Sequence, residues 1–420
     1  PGSTFCSFHK YCRTCTKCSD LFRYLTGFLP DKHRKIYFTM LAFNQRFKQE
    51  ISERRDRDLL RNVVPIKGRN GRLFSHSQHC YLNFSSNDYL GLATDKALMK
   101  EWQKGIDLYG NGSGASPLVT GFSQAHQELE HSLCEWLGFD RALFFSYGFA
   151  ANQAVLFTLL AKNDLLVQDK LNHASLIEAG VLSPAQMKRF KHNDLLHLQT
   201  LLDRECMVVT EGVFSMDGDL SPLTEIKNLM AHQGLLVVDD AHGIGVLGEE
   251  GRGSCNFAGV QPDILIVTFG KALGISGAAI LCTKLIGEYL TQFARHYVYS
   301  TALPPAQAFA ICRSIDMVRE QSWRREKLAE LSHLYQVKLS DFCAAISTIT
   351  PIKPLIVGEA ARALHIAEEL KKQGFWLTAI RPPTVAKGSA RLRVTLTATH
   401  SKDQITALTR TLKSVLKDSK

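Results

Sequence analysis

The run Asp263-Ile264-Leu265-Ile266-Val267-Thr268-Phe269-Gly270-Lys271-Ala272-Leu273-Gly274 ends a strongly apolar stretch on a lysine. Four apolar residues, three of them β-branched, read as a strand buried on both faces. Lys271 is thereby delivered to the edge of a core. An amine held there, partly desolvated, loses basicity and becomes a nucleophile toward aldehydes. An isolated lysine in such a turn is more often an ordinary surface residue. A second stretch, Gly234-Leu235-Leu236-Val237-Val238-Asp239-Asp240-Ala241-His242-Gly243, changes that balance. It too runs apolar and stops at polar residues, placing a carboxylate, Asp239, three positions before an imidazole, His242. That pair suits a pyridine-type ring bound at the carboxyl edge of a parallel sheet.

The elements that must position these residues alternate regularly. Apolar strands near positions 143, 165, 208, 236 and 265 are separated by helical spans, which predicts right-handed βαβ units and a largely parallel sheet. Tyr147-Gly148-Phe149-Ala150-Ala151-Asn152 forms a strand-to-helix turn whose small residues leave backbone N–H groups open to a phosphate. Any β–α turn resembles it, so the signal is weak alone. His173, just past the strand at 165, could stack on an aromatic ring; a lone histidine there is more often structural. Glu211-Gly212-Val213-Phe214-Ser215 ends a further strand.

Gly110-Asn111-Gly112-Ser113-Gly114 is the densest glycine cluster. It follows a helical segment, not a buried strand, so it fails as a dinucleotide fingerprint and reads as an active-site or interface loop. His126 and His131 lack the spacing of a helical zinc motif. Toward the C-terminus a long helical run spans about 306–343. Then come a strand at 352–357, a helix over 359–373 stopped by Gly374, a strand Phe375 to Ile380, and the alternating stretch Ala390 to Thr397. A last helix completes a small α+β domain. Two prolines after Arg381 stiffen its approach, useful for a guanidinium clamping a carboxylate.

Composition sets limits. The 420 residues carry 45% hydrophobic and 21% charged side chains, ordinary for a globular protein with a large core. No apolar run reaches a membrane-spanning length. The net charge of +10 is uneven: residues 1–39 hold seven Lys/Arg against two Asp, and no basic stripe interleaved with aromatics follows. Nucleic acid is therefore not the expected partner. Eleven cysteines, four of them (Cys6, Cys12, Cys15, Cys18) crowded in the leader, form no framework and suit a reducing cytoplasm. That cluster could be half of a metal site; a transit peptide or upstream sequence before Met40 are the other readings, the last being preferred, with disorder expected and no metal. The segments expected are this leader over 1–39, an amphipathic helix and short strands over 40–85, a large domain over 86–320 and the small domain over 321–420.

Five signatures in order carry a resemblance: Asn87-Asp88-Tyr89-Leu90-Gly91, Asn172-His173-Ala174-Ser175, Glu211-Gly212-Val213-Phe214-Ser215-Met216-Asp217-Gly218, Asp239-Asp240-Ala241-His242-Gly243 and Thr268-Phe269-Gly270-Lys271. From Met40 onward the chain resembles the α-oxoamine synthases, enzymes of the fold-type I class that depend on pyridoxal 5′-phosphate (PLP). The resemblance implies an α/β fold with a large, mainly parallel sheet domain and a small α+β domain. It implies that Lys271 holds PLP as a Schiff base and serves as general base. Asp239 would face the pyridine nitrogen, His173 would stack on the ring, and His242 would meet its phenolate oxygen. Ser215 and Thr268 are implied cofactor contacts, and Gly148 and Phe149 lie beside the ring, although Ser146-Tyr147 replace the usual small residues there. Arg381 is implied as the amino-acid carboxylate clamp, with Thr384 and Arg61 as further substrate contacts.

Arg381-Pro382-Pro383-Thr384-Val385 and Ala390-Arg391-Leu392-Arg393 are most similar to the branch that joins L-alanine to a pimeloyl thioester, on CoA or acyl carrier protein, with loss of carbon dioxide. That branch works in biotin biosynthesis, as a cytoplasmic homodimer. Within the same family, glycine with acetyl-CoA or succinyl-CoA, or serine with a fatty acyl thioester, remain open. A basic binding protein acting through its leader, with an inactive enzyme fold behind it, is the reading from another class.

Overall fold

The computed structural model describes residues 31–231, 233–342 and 345–418, with side chains from residue 42 to 417. The cysteine cluster of the leader and the disorder expected there lie outside the described residues. The chain divides into two compact units, residues 1–63 and 64–420. In the first, the helix expected over 40–60 runs Asp31–Asp56. Its described side chains are exposed, Phe43, Phe47 and Ile51 among them, and Arg46 lies over the Phe43 and Phe47 rings.

In the second unit the five expected strands appear as β3 (Arg141–Phe145), β4 (Leu165–Asp169), β6 (Cys206–Glu211), β7 (Gly234–Asp239) and β8 (Ile264–Thr268). Their side chains are almost all buried, because helices cover both faces, so the runs are continuously apolar instead of alternating. Two strands escaped the sequence reading. β5 (Gln186–Phe190) is a polar edge strand, and β9 (Ala278–Cys282) is a short apolar run after a glycine-rich turn. The seven-stranded sheet has the order β3-β9-β8-β7-β6-β4-β5 and is parallel except for β9. The carboxyl ends of β6, β7 and β8 therefore open on the same edge.

The expected helical run near 306–343 is two helices, Pro305–Glu320 and Ser322–Leu339, parted at Gln321. The stretch read as one strand over 375–380 is also split. β11 (Phe375–Trp376) pairs in parallel with β2 (His79–Asn83), which pairs in turn with β1 (Leu73–His76). β12 (Thr378–Ile380) joins β13 (Ala390–Thr395) and β10 (Ile352–Gly358) in an antiparallel sheet. Two sheets compete for one short segment, and the buried Leu377 is where it passes between them.

His400 anchors this region. Its ring stacks on Phe84 at 4.2 Å, and its Nε2 lies 3.0 Å from the Asn83 carbonyl. Burial pushes its pKa down to about 4. The folded protein therefore binds this proton more weakly than the unfolded chain. The neutral ring's contribution is complete above the unfolded pKa and is lost as pH falls through about 4. The expected loss is about 3 kcal/mol. Urea unfolding from pH 7 to 4 should show this slope in the parent and a flatter one in His400→Gln.

Candidate active site

Lys271 sits in a tight turn beyond β8. The Lys271 carbonyl accepts from the Gly274 N–H at 3.0 Å, and the Phe269 carbonyl accepts from the Ile275 N–H at 2.8 Å. Gly274 is required there: its φ is +70°, and a Cβ would lie 2.4 Å from the Ala93 nitrogen. The turn presents the Lys271 side chain to a cavity of about 330 Å³. Gly148, Phe149, His173, Asp239, His242 and Thr268 line the same cavity, so seven of the residues singled out in the sequence meet in one place. Burial lowers the Lys271 amine below its ordinary pKa, while the charge of Asp239 works in the opposite direction.

Asp239 ends β7. Its Oδ2 accepts from Asn152 Nδ2 at 2.8 Å and its Oδ1 from the Ala241 N–H at 3.1 Å. Asn152 reaches it from the helix Gly148–Leu159, and the same amide donates to Ser175 Oγ at 2.8 Å. That helix starts at the cavity with no side-chain cap on its first turn. A Cβ on Gly148 would come within 2.8 Å of the Thr268 methyl, so the backbone approaches β8 closely only because residue 148 is glycine.

His173 caps the helix Ala174–Leu182. Its Nδ1 accepts from the Ser175 N–H at 3.3 Å, which in the neutral ring leaves the proton on Nε2. Burial, with Lys271's charge adding to it, lowers its pKa. His242 is held by the Tyr89 hydroxyl at 2.6 Å from Nδ1. Burial and the nearby charges of Lys271 and Arg393 hold its pKa well below the ordinary histidine value. Both rings are thus neutral at neutral pH.

Several site residues lay within the quoted motifs without being given a role of their own. Asn87, Asn152, Ser175 and Glu211 line the cavity, and Tyr89 stands behind it. Arg393, on β13, is buried; it donates from Nε to the Ser215 carbonyl at 2.5 Å and from Nη1 to Asn87 Oδ1 at 2.9 Å. Strict alternation along Ala390–Thr395 ordinarily leaves one face to water, yet all six residues are buried. Arg391, its neighbour two positions away, is bound to Asp217. Ser215, Thr384 and Arg381 are not among the residues lining the Lys271 cavity. Ser215 and Thr384 line a second cavity of about 450 Å³ with His192, Phe214 and Arg391. Arg381 follows β12 and lines neither of these two cavities, and Arg61 is an exposed residue of the first unit.

The cavity fits PLP. Three buried oxygens that line it, Asn152 Oδ1, Glu211 Oε1 and Thr268 Oγ1, have no protein partner. Thr268 and the uncapped helix turn offer donors for a phosphate. Asp239 offers a carboxylate for a pyridinium nitrogen and Lys271 an amine for an aldehyde. Among the described residues no cluster is disposed to hold a metal ion, and no helix is long and apolar enough to cross a membrane.

Comparison with known proteins agrees with this geometry. Residues 80–412 match the model of the aminotransferase class I and II family. A curated 8-amino-7-oxononanoate synthase from Vibrio parahaemolyticus is 57% identical over 380 residues, covering 90% of this chain and 99% of that protein. The crystal structure of 8-amino-7-oxononanoate synthase from Francisella tularensis superposes with a TM-score of 0.72 at 32% identity, over 80% of this chain and 98% of the other. Serine palmitoyltransferase from Sphingomonas wittichii gives 0.84 at 27% identity, over 89% and 98%. With strand order, cavity and sequence in accord, the chain belongs to the aminotransferase class I and II family and, within it, to the 8-amino-7-oxononanoate synthase family.

Proposed function

We propose that the protein condenses L-alanine with a pimeloyl thioester, on CoA or acyl carrier protein, giving 8-amino-7-oxononanoate, carbon dioxide and free thiol in biotin biosynthesis. The observation that carries this reading is the convergence of Lys271, Asp239, His173 and His242 on one cavity in a chain of this family. When bound, PLP supplies an electron-accepting ring conjugated to the amino acid's nitrogen. The protein's own groups do the rest. Lys271 would hold the cofactor's aldehyde carbon, and its amine, with basicity lowered by burial, would serve as the base for alanine's α-proton. Asp239 would face the ring nitrogen and keep it protonated. His242, whose Nδ1 is engaged by Tyr89, would offer its Nε2–H to the ring's phenolate oxygen. His173 would cover the ring face, and Thr268 with the Gly148–Phe149 turn would hold the phosphate.

Alanine's carboxylate needs a cation, and two arginines compete for that role. Arg381 was the residue implied by resemblance. Arg393 is favoured by geometry, because it is buried against cavity-lining Asn87 and its charge is felt at both Lys271 and His242. Arg393→Lys loses the paired guanidinium geometry. It should raise the KM for alanine about tenfold or more, with a smaller effect from Arg381→Lys. Steady-state kinetics with alanine varied will decide. Thr384, Ser215 and Arg61 remain proposed contacts for substrate or cofactor.

The protein acts as a cytoplasmic homodimer in this reading, a state that sedimentation of the purified protein tests. The function itself is tested by incubating the protein with PLP, alanine and pimeloyl-CoA and identifying the product by mass spectrometry. Turnover with glycine or serine but not alanine would move the protein to another α-oxoamine synthase activity.

A further inference from the structure

Glu211 ends β6 as Asp239 ends β7, and the two are paired residues of the parallel ladder. Neighbouring strands lie about 4.8 Å apart, so two carboxyl groups stand side by side at the floor of one cavity. Glu211 is only 3% exposed and its Oε1 has no partner, although it lines the cavity. Asp239 differs: both of its oxygens accept from N–H donors, Asn152 and Ala241. Two adjacent buried carboxyls cannot both hold a negative charge cheaply, and the one with N–H donors on both oxygens keeps it.

We propose that Glu211 enters the site as a neutral carboxylic acid, a positioning residue that offers an uncharged O–H beside Asp239 and leaves the pair's single negative charge facing the ring nitrogen. Other groups around it agree with this assignment. Burial comes first, followed by the charge of Asp239, and both raise its pKa well above the ordinary value; Asp169, at the end of β4, acts the same way. The charge of Lys271 and a hydrogen bond from the His173 backbone work in the opposite direction and are outweighed. A second full carboxylate here would also hold Lys271 as an ammonium ion, the wrong form for a base. A neutral neighbour lets that amine lose its proton. This inference rests on the cavity being the PLP site, which the borohydride experiment below tests separately on Lys271.

The test uses the holoenzyme and two variants. Glu211→Gln keeps the shape and a hydrogen-bond donor while removing the titratable proton. It should retain PLP in equilibrium dialysis within about threefold of the parent, and the pH midpoint of the bound cofactor's absorbance should stay within a few tenths of a unit. Glu211→Leu removes the donor and should weaken PLP retention about tenfold. Asp240, pushed up to about 7 by burial, gives an un-ionised carboxyl band in both proteins, so the parent-minus-Glu211→Gln infrared difference spectrum at neutral pH should show a further carbonyl stretch from Glu211, which requires no turnover. A Glu211→Gln protein whose midpoint moves by about one unit or more, or a difference spectrum without that band, would overturn the proposal. So would a folded Glu211→Leu protein that holds PLP as tightly as the parent.

Discussion

Lys271→Ala should lower kcat by about 10⁴-fold, the upper end for removing a positioned base. One amine is asked to do two jobs, and the cavity offers no substitute. The other basic side chains at its walls are His173 and His242, and each is committed. His173 accepts from Ser175 and His242 is bonded to Tyr89. The apolar wall behind the turn, with Phe269, Ala272 and Leu273 buried, should keep the variant folded. Loss of rate should therefore appear without loss of cooperative unfolding. PLP should still enter, held by Thr268 and the helix start, but should wash out on gel filtration. Exogenous methylamine should restore part of the proton transfer, because the missing group is a small amine in an accessible cavity. Parent-like turnover by the variant would remove Lys271 from the chemistry.

Asp239→Asn should cost about 10²–10³-fold in kcat with a modest change in the KM for alanine. The substitution preserves shape while removing the charge that keeps a ring nitrogen protonated. It also rearranges the local donors, since Asn152 Nδ2 and the Ala241 N–H now address an amide. The charge of Asp239 is one of the forces raising the Glu211 pKa, so its loss should make Glu211 more acidic. A carboxylate at position 211 in this variant would restore part of the lost charge one strand away. Combining Asp239→Asn with Glu211→Gln should then be worse than Asp239→Asn alone. Steady-state kinetics on the single and double variants measure that coupling.

The sequence already carried the floor of this site because β6, β7 and β8 are continuous apolar runs stopping at polar residues. Where such a run stops, a buried parallel sheet has its carboxyl edge, so Glu211, Asp239 and Lys271 could be placed before any fold was known. What the sequence hid came from elsewhere in the chain. Arg393 meets Asn87 across 306 positions, and Tyr89 meets His242 across 153. No local pattern encodes a contact at that separation. Arg393 was also disguised by the alternation of β13, which looks half-exposed until the β10 and β12 neighbours and the main domain cover it. Arg381 drew attention through its prolines, a local feature that says how stiff the approach is but not where it points. β5 was missed because an edge strand needs little apolar surface, and β9 because a five-residue apolar run fits strand or helix equally.

Reduction of the PLP-loaded protein with borohydride, followed by proteolysis and mass spectrometry of the peptides, interrogates the covalent link itself. A phosphopyridoxyl group fixed on Lys271 is the expected result. Stable labelling of another lysine, or a fully loaded protein that yields no labelled peptide, would contradict it.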